Sequence, residues 1–544
     1  MLLLVSHLRA QDNTLIVEQS GQGNSAAISQ TGRGQYAELL QDGSANQATI
    51  NQVGADNAAL VNQSGDLNQI TLDQTEGSYA NFLNANQTGN GNRISHLQGY
   101  AGLYNQANMT QKGTENYISS RQAYNSNSNQ MTVSQQGDYN QIEGWQTRSS
   151  FGNEMTISQR GNLNRAYLYQ TYNMRSSEMT VTQEGENNHA NLIQEFGTRN
   201  NEANLMQSGD NHRAFVSYWD YASKNLFNAY QTGNGHSINF QSWSGSLNQV
   251  NAEQRGQRNR LSGSQTHASV FNRLTAIQVG SNNQVDFSQR VSVKYDNITV
   301  AQVGNNNIAS LSQRFNSDHN EIDLTQHGDA NSATLNQDVS SEYNRLDTDQ
   351  TGTGNQITFM QNSVSFRNEA NLTQNGERNR IEGGQHSKSE DNLMTLSQTG
   401  DDNQITASQS AYSSNNTMTV MQTGNNNTAR LLQSAGVTYY GDFVGSRYNE
   451  MTVIQSGDRN FAEVGQSVIS SYNTADVEQT GNDNQVYVTQ GTYPNKSTDS
   501  DAVIYQFGNA NLATVSQFGL NMAAAVQQSG NGNTVTVTQM NGSN

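Results

Sequence analysis

The sequence predicts an all-β protein, a two-sheet parallel β-solenoid of about 22 stacked coils with amyloid-like strand stacking. Three observations predict it. Gln recurs on a fixed lattice, the residues between lattice points alternate at period two, and Gly holds one fixed place in every short connection.

The lattice comes first. Gln19, Gln30, Gln41, Gln52, Gln63 and Gln74 lie 11 residues apart. From Gln87 the spacing alternates between 11 and 13, so that Gln111, Gln135, Gln159, Gln183 and Gln207 recur every 24. After a one-residue slip, the same 24-residue step runs from Gln254 to Gln422. To Gln539 there are 44 such positions, 43 of them read as Gln, with Tyr218 as the exception. Self-similarity at this period is the signature of a solenoid.

The strands come next. Each lattice Gln ends a unit N-x-φ-x-φ-x-Q, with φ usually apolar, as in Asn153-Glu-Met155-Thr-Ile157-Ser-Gln159. Alternation at period two is a strand pattern. It places Asn, both φ residues and Gln on one face, and Glu154, Thr156 and Ser158 on the other.

The connections follow. The short turn has four residues with Gly second, as in Ser456-Gly457-Asp458-Arg459, and Gly stands there in all 25 short turns from Gly21 to Gly530. A positive φ accounts for this, since Gly adopts it without steric cost. The long turn usually has six residues, as in 123–128. Two strands and two turns then make a 24-residue coil. One coil cannot bury its inner face, whereas stacked coils can. At ~4.8 Å per coil the stack would be roughly 105 Å long. Two insertions break the rhythm, 434–448 with Tyr439, Tyr440 and Phe443, and 491–499 with Pro494. The single proline thus falls outside the strands, as a sheet requires.

An inward amide is tolerated only when it is hydrogen-bonded. Gln carries both donors and acceptors, so stacked copies satisfy one another. The expected structural rows comprise Asn153, Gln159, Gly161, Asn164, Gln170, Gln183, Gly185, Asn188 and Gln194, then Gln302, Gly304, Asn307, Gln313, Gln398, Gly400 and Asn403. Composition agrees with ladders rather than globular cores. Apolar residues are 33%, there is one Pro and no Cys, and the formal charge is -18. The absence of Cys excludes disulfides and thiolate metal sites. The acidic charge disfavours nucleic acid as a partner. No apolar run reaches the ~20 residues of a membrane helix.

The repeated sequence Asn153-x5-Gln159-x-Gly161-x2-Asn164-x-Ala166-x3-Gln170 resembles the curlin repeat of bacterial curli fibre subunits. The resemblance spans about 13–539. It implies a secreted functional amyloid subunit that polymerises end to end into the fibres of an extracellular biofilm matrix. It also implies, as partners, further copies of the chain and a nucleator or secretion pore of a curli-type system. On this reading residues 1–12 are a leader or truncated signal segment, and 13–544 form one solenoid domain. The first strand, Asn13 to Gln19, and the last, Asn533 to Gln539, look like the middle ones. Uncapped strand edges template further pairing, so these are the expected assembly ends. The competing readings are a monomeric adhesin or binding rod and an ice-binding surface.

Other features are weaker. Long turns carry aromatics: Tyr124, Phe151, Tyr172, Phe196, Phe271, Tyr295, Phe315, Tyr343, Phe366, Tyr412 and Tyr472. Rings packed on neighbouring corners explain them better than a stacking surface for sugars or dyes. His212 and His236 replace Asn one coil apart, which allows them to stack. No carboxylate completes a metal site with them. Thr132 and Ser134, Thr156 and Ser158, and Thr180 and Thr182 form an outward array that breaks at Asn204 and Met206, which is poor for an ice face. No nucleophile–base set, phosphate loop or HExxH motif occurs, and no converging carboxylates mark a polysaccharide lyase. The expectation is a protein without catalytic, cofactor or metal residues.

Overall fold

The computed structural model describes residues 12–434, 436–437, 443–467, 470–491 and 497–541. The expected leader, Tyr439, Tyr440 and Pro494 lie outside the described residues, as does the Phe443 side chain. The chain forms two compact units, Met1–Ala268 and Ser269–Asn544. All regular structure among the described residues is β, and each unit is a β-solenoid of two parallel sheets.

In the first unit one sheet starts with Thr14–Gln22 paired to Tyr36–Ser44, and the other with Ser25–Arg33 paired to Gln47–Ala55. Chain order alternates between the sheets, so consecutive strands never pair and every pairing joins one coil to the next. The unit contains eleven coils, and its sheets end with Gln249–Gln257 and Arg260–Thr266. The second unit repeats the plan with eleven coils, from Arg273–Ser281 and Gln284–Arg290 to Ala523–Ser529 and Thr534–Met540.

Register follows the lattice. Met155 pairs with Met179, Ile157 with Val181 and Gln159 with Gln183. Gln302 pairs with Gln326, and Gln398 with Gln422. A slip by one residue would turn each amide and each apolar side chain outward. The inward faces of the two sheets meet in a thin core. Met155, Ile157, Ala166 and Leu168 have at most 1% exposure. Large and small residues alternate across it. Gly144 of one sheet leaves room for Met155 and Met131 of the other. Phe227 and Phe240 stack across the sheets at 5.3 Å.

The long corners are more structured than six-residue loops. Their residues form single parallel bridges along the stack, Leu103 to Asn127 to Phe151 in the first unit and Lys294 to Asp318 to Glu342 in the second. The change from 22- to 24-residue coils occurs at a register shift between Gln52 and Gly54, opposite Gln69–Tyr79. Ser78 fills the shift, accepting from Asn57 Nδ2 at 2.9 Å and donating to the Val53 carbonyl at 2.7 Å.

Candidate assembly surfaces and the buried amide rows

The Gln side chains point into the core from the last inward position of each strand. Gln135 Nε2 donates to Gln159 Oε1 at 2.9 Å, Gln159 to Gln183 at 2.7 Å, and Gln183 to Gln207 at 2.8 Å. In the facing sheet Gln146 donates to Gln170 at 2.9 Å and Gln170 to Gln194 at 3.2 Å. The second unit has the same arrangement, with Gln302 to Gln326 at 2.8 Å, Gln313 to Gln337 at 2.9 Å and Gln398 to Gln422 at 2.9 Å. The second Nε2 hydrogen closes the coil on itself, for Gln159 also donates to the Gln141 carbonyl at 3.2 Å. Each amide therefore spends both donor hydrogens and its acceptor within the core, which offsets its burial. All these bonds run one way, with nitrogen donating toward the C-terminal neighbour.

Stacked Asn side chains bond one another, as Asn164 Nδ2 does to Asn140 Oδ1 at 3.2 Å and Asn403 Nδ2 to Asn379 Oδ1 at 3.1 Å, and each also bonds the backbone. Its Oδ1 accepts the backbone N–H of the equivalent Asn one coil on, as Asn164 Oδ1 does from Asn188 at 3.0 Å and Asn379 Oδ1 from Asn403 at 3.0 Å. Its Nδ2 donates to the glycine carbonyl of the next short turn. Asn164 reaches Gly185 at 2.8 Å, Asn307 reaches Gly328 at 2.8 Å and Asn403 reaches Gly424 at 2.7 Å. At a long corner Asn153 Oδ1 accepts from the Ser177 N–H at 3.0 Å. Asn is thus a clamp between corners, and the corner Gly is its acceptor. That Gly is required twice over. Gly161, Gly185, Gly304 and Gly400 have φ of 108, 109, 121 and 109°. A Cβ on Gly161 would also lie 2.1 Å from the Gly185 carbonyl oxygen.

The lattice has a second exception beside Tyr218. The register pairs Tyr218 with Ser242, not Gln241, and Ser242 with Gln265. Gln241 faces outward and Ser242 is buried. A fully buried Tyr fills part of the space that the small Ser leaves, and its hydroxyl reaches the Glu202 carbonyl at 3.4 Å.

His212 and His236 stack at 5.1 Å and imitate Asn. His212 Nδ1 accepts the His236 N–H at 3.3 Å, and Nε2 contacts the Ser208 carbonyl at 3.2 Å. His236 repeats this with the Asn259 N–H at 3.1 Å and the Thr232 carbonyl at 3.0 Å. This pattern needs the neutral Nε2–H tautomer and uses both ring nitrogens. Burial lowers the His212 pKa to about 4, with a smaller contribution from His236, and burial also lowers His236. Among the described residues no group of three or more His, Cys, Asp or Glu is placed to hold a metal.

Asp296 takes the Asn place of the long-corner row in the second unit, between Asn272 and Asn320. Its Oδ1 accepts from the Asn320 N–H at 2.7 Å, and its Oδ2 accepts from the Ser317 hydroxyl. Burial pushes its pKa up to about 8, against the opposing pull of these hydrogen bonds. Sequence reasoning missed Asp296. It also missed a column of buried serines in the long corners. Asn344 Nδ2 donates to Ser341 Oγ at 2.9 Å, Asn368 to Ser365 at 2.8 Å and Asn416 to Ser413 at 2.7 Å. The signal was S-x-x-N at the 24-residue period.

The aromatic corner residues do not form one stripe. Phe271, Tyr295, His319 and Tyr343 stack at 4.8, 4.7 and 4.8 Å. Tyr172 and Phe196 stack at 4.8 Å at another corner position, and Arg148 lies 4.3 Å over the Tyr172 ring. Phe366 and Tyr412 carry Arg367 at 4.0 Å and Lys388 at 4.5 Å.

The outermost described coils differ from the rest in exposure alone. Asn13 still accepts the Gln35 N–H at 2.9 Å, and Gln19 Nε2 donates to Gln41. Leu15, an inward residue, is nevertheless 46% exposed, whereas Ala37, its partner one coil on, is fully buried. At the other edge the Asn533 N–H donates to Asn511 Oδ1 at 3.0 Å, and Gln539 Oε1 accepts from Gln517 at 2.8 Å. Val535 and Val537 are partly exposed. Gln19 carries the first carbonyl of its row, while Gln539 carries the last amino group of its row.

A family model of the curlin associated repeat matches residues 10–43, 43–75, 152–195, 198–239 and 498–522. A search of curated proteins gives no match. The matched segments fall in both units, and those in the first contain Gln159, Gln170, Gln183, Asn164, Asn188, Gly161 and Gly185. The chain carries curlin associated repeats in both units.

Proposed function

We propose that the protein is a structural fibre subunit, a functional amyloid of an extracellular matrix, that polymerises end to end through its outermost coils. The Gln and Asn rows stabilise each coil against the next. The observation that carries this reading is the chemistry of the two outer edges. Among the described residues, the first coil of the first unit offers half-exposed apolar side chains and the carbonyl oxygen of Gln19, and the last coil of the second unit offers apolar side chains and the amino group of Gln539. A row that donates in one direction can continue from one copy into the next only when the acceptor edge of one meets the donor edge of another. Unpaired strand edges favour such pairing, and the stacked, in-register amides resemble those of cross-β assemblies. Extracellular location follows from kinship with curli subunits.

Purified chain incubated with preformed seeds tests the reading. Cross-β fibres with coils stacked along the fibre axis are expected, and Leu15→Lys or Val535→Lys should block elongation without unfolding the core. Dispersed particles at high concentration, with seeds present, would refute it and favour a monomeric rod.

A further inference from the structure

The first unit carries a groove of about 510 Å³ where the second sheet meets the long corner. Two rows line it. On the strands, Arg121, Trp145 and Tyr169 stand in register in successive coils. On the corner, Arg148 lies over the Tyr172 ring at 4.3 Å. Arg121 lies 5.6 Å from the Trp145 ring and 5.7 Å from that of Tyr124, so it joins the two rows. Thr147 and Thr171, each 4% exposed, separate the rows.

The side chains are held in place. Trp145 and Tyr169 meet edge to face at 5.0 Å, Tyr169 donates to Glu143 at 2.8 Å, and Thr171 donates to Glu195 at 3.0 Å. Both glutamates therefore face hydroxyl donors. Neither Arg121 nor Arg148 has a carboxylate partner among the described residues. Their faces rest on rings, while their N–H edges remain available, in a protein of net charge -18. Stacked guanidinium groups suit planar bidentate recognition of carboxylates. The partly exposed rings of Trp145 and Tyr169 supply apolar surface beside them. The platform continues beyond the groove, since Phe196 contacts Trp219 at 5.5 Å and Trp219 contacts Trp243 at 6.4 Å. All three tryptophans of the chain thus lie on the outer face of one sheet.

We propose that this groove binds an extended anionic glycan. Its carboxylates are held by Arg121 and Arg148, and its sugar rings lie against Trp145 and Tyr169. The strand row runs along the stack through three successive coils, so an extended oligomer fits better than a compact solute.

The test uses the full chain carrying Trp219→Phe and Trp243→Phe, which leaves Trp145 as the reporter. Oligogalacturonate is titrated against a neutral cello-oligosaccharide of equal length. The acidic sugar should change Trp145 emission saturably. Its affinity should fall roughly tenfold or more in Arg121→Gln/Arg148→Gln, with Arg→Lys at both sites recovering only part, because lysine lacks the planar fork. Circular dichroism checks that the variants keep their sheets. Equal binding of the neutral sugar, unchanged affinity in the Gln variant, or no saturation at millimolar sugar would overturn the proposal. So would Trp145 emission that follows protein concentration and ignores sugar, which would assign the groove to a second copy.

Discussion

Replacing Gln159 tests whether the amide rows hold the coils together. Gln159→Ala removes the acceptor of Gln135 and the donor to Gln183. Gln135 keeps its bond to the Tyr117 carbonyl through its other hydrogen, so one N–H of Gln135 and the Oε1 of Gln183 lose their partners. Each buried orphan costs about 1–3 kcal/mol, which sets the total at about 2–6 kcal/mol before any cavity cost. Gln159→Glu keeps the shape and the acceptor but directs a carboxylate at the Gln183 oxygen. Its folded pKa should rise, so the variant should approach wild type below the unfolded Glu value of about 4.3 and lose stability as pH rises through the folded value. Outward Ser158→Ala should stay within about 0.5 kcal/mol. Native-state hydrogen exchange of Glu154–Arg160 and Glu178–Glu184 reads local opening, which suits a fold that unfolds in segments. If Gln159→Ala opens these strands no more than Ser158→Ala does, or if Gln159→Glu shows no pH dependence, the rows do not stabilise the stack.

Three further outcomes are expected. Gly161→Ala places a methyl group 2.1 Å from the Gly185 oxygen at a φ of 108°, whereas a Cβ at Gly532 meets nothing within 4 Å at a φ of 70°. The first substitution should cost on the order of 3–5 kcal/mol and the second about 1, and equal losses in exchange protection would exclude the cross-coil clash. The His212 pKa is lowered to about 4 by burial, so the unfolded state binds more protons between that value and the usual one near 6.5. Stability should therefore fall as pH drops through this window, and His212→Asn should remove that part of the slope in pH-dependent denaturation. Asp296 is raised to about 8, so its contribution is lost as pH rises from the usual carboxylate range through that value. Asp296→Asn should stabilise the second unit at neutral and alkaline pH and change little at pH 3, and a stabilisation equal at both pH values would rule out a titrating carboxyl.

Much of the fold was legible because one solution recurs in every coil. The inward set Asn153, Met155, Ile157 and Gln159 could be read from period alone, and its register partners followed from the 24-residue step. What remained hidden depends on single neighbours. Gln241 sits beside the true lattice position and imitates it, and only the pairing of Tyr218 with Ser242 shows that the slot moved. The serine column was obscured by a composition already rich in serine. The role of Asn was half legible. Burial of an amide implied the stacked Asn partners, but its further partners are backbone groups, and backbone leaves no trace in side-chain statistics. The Tyr124, Arg148 and Tyr172 row could not be seen as one feature, because an arginine interrupts the aromatics.

The insertions expose a different property of the coil. Gln422 and Gln455 are 33 residues apart, yet they bond at 2.8 Å, and Gln433 bonds Gln466 at 2.9 Å across the same insertion. Gln479 and Gln506, 27 apart, bond at 2.9 Å. The strands on either side of each insertion pair in the same register as elsewhere, so the core does not register its length. Corner and core are therefore free to change independently under mutation. A corner can acquire new segments, or a grafted peptide, while the strands beside it stay under strict constraint. Such a chain can diversify at its corners without relinquishing its architecture.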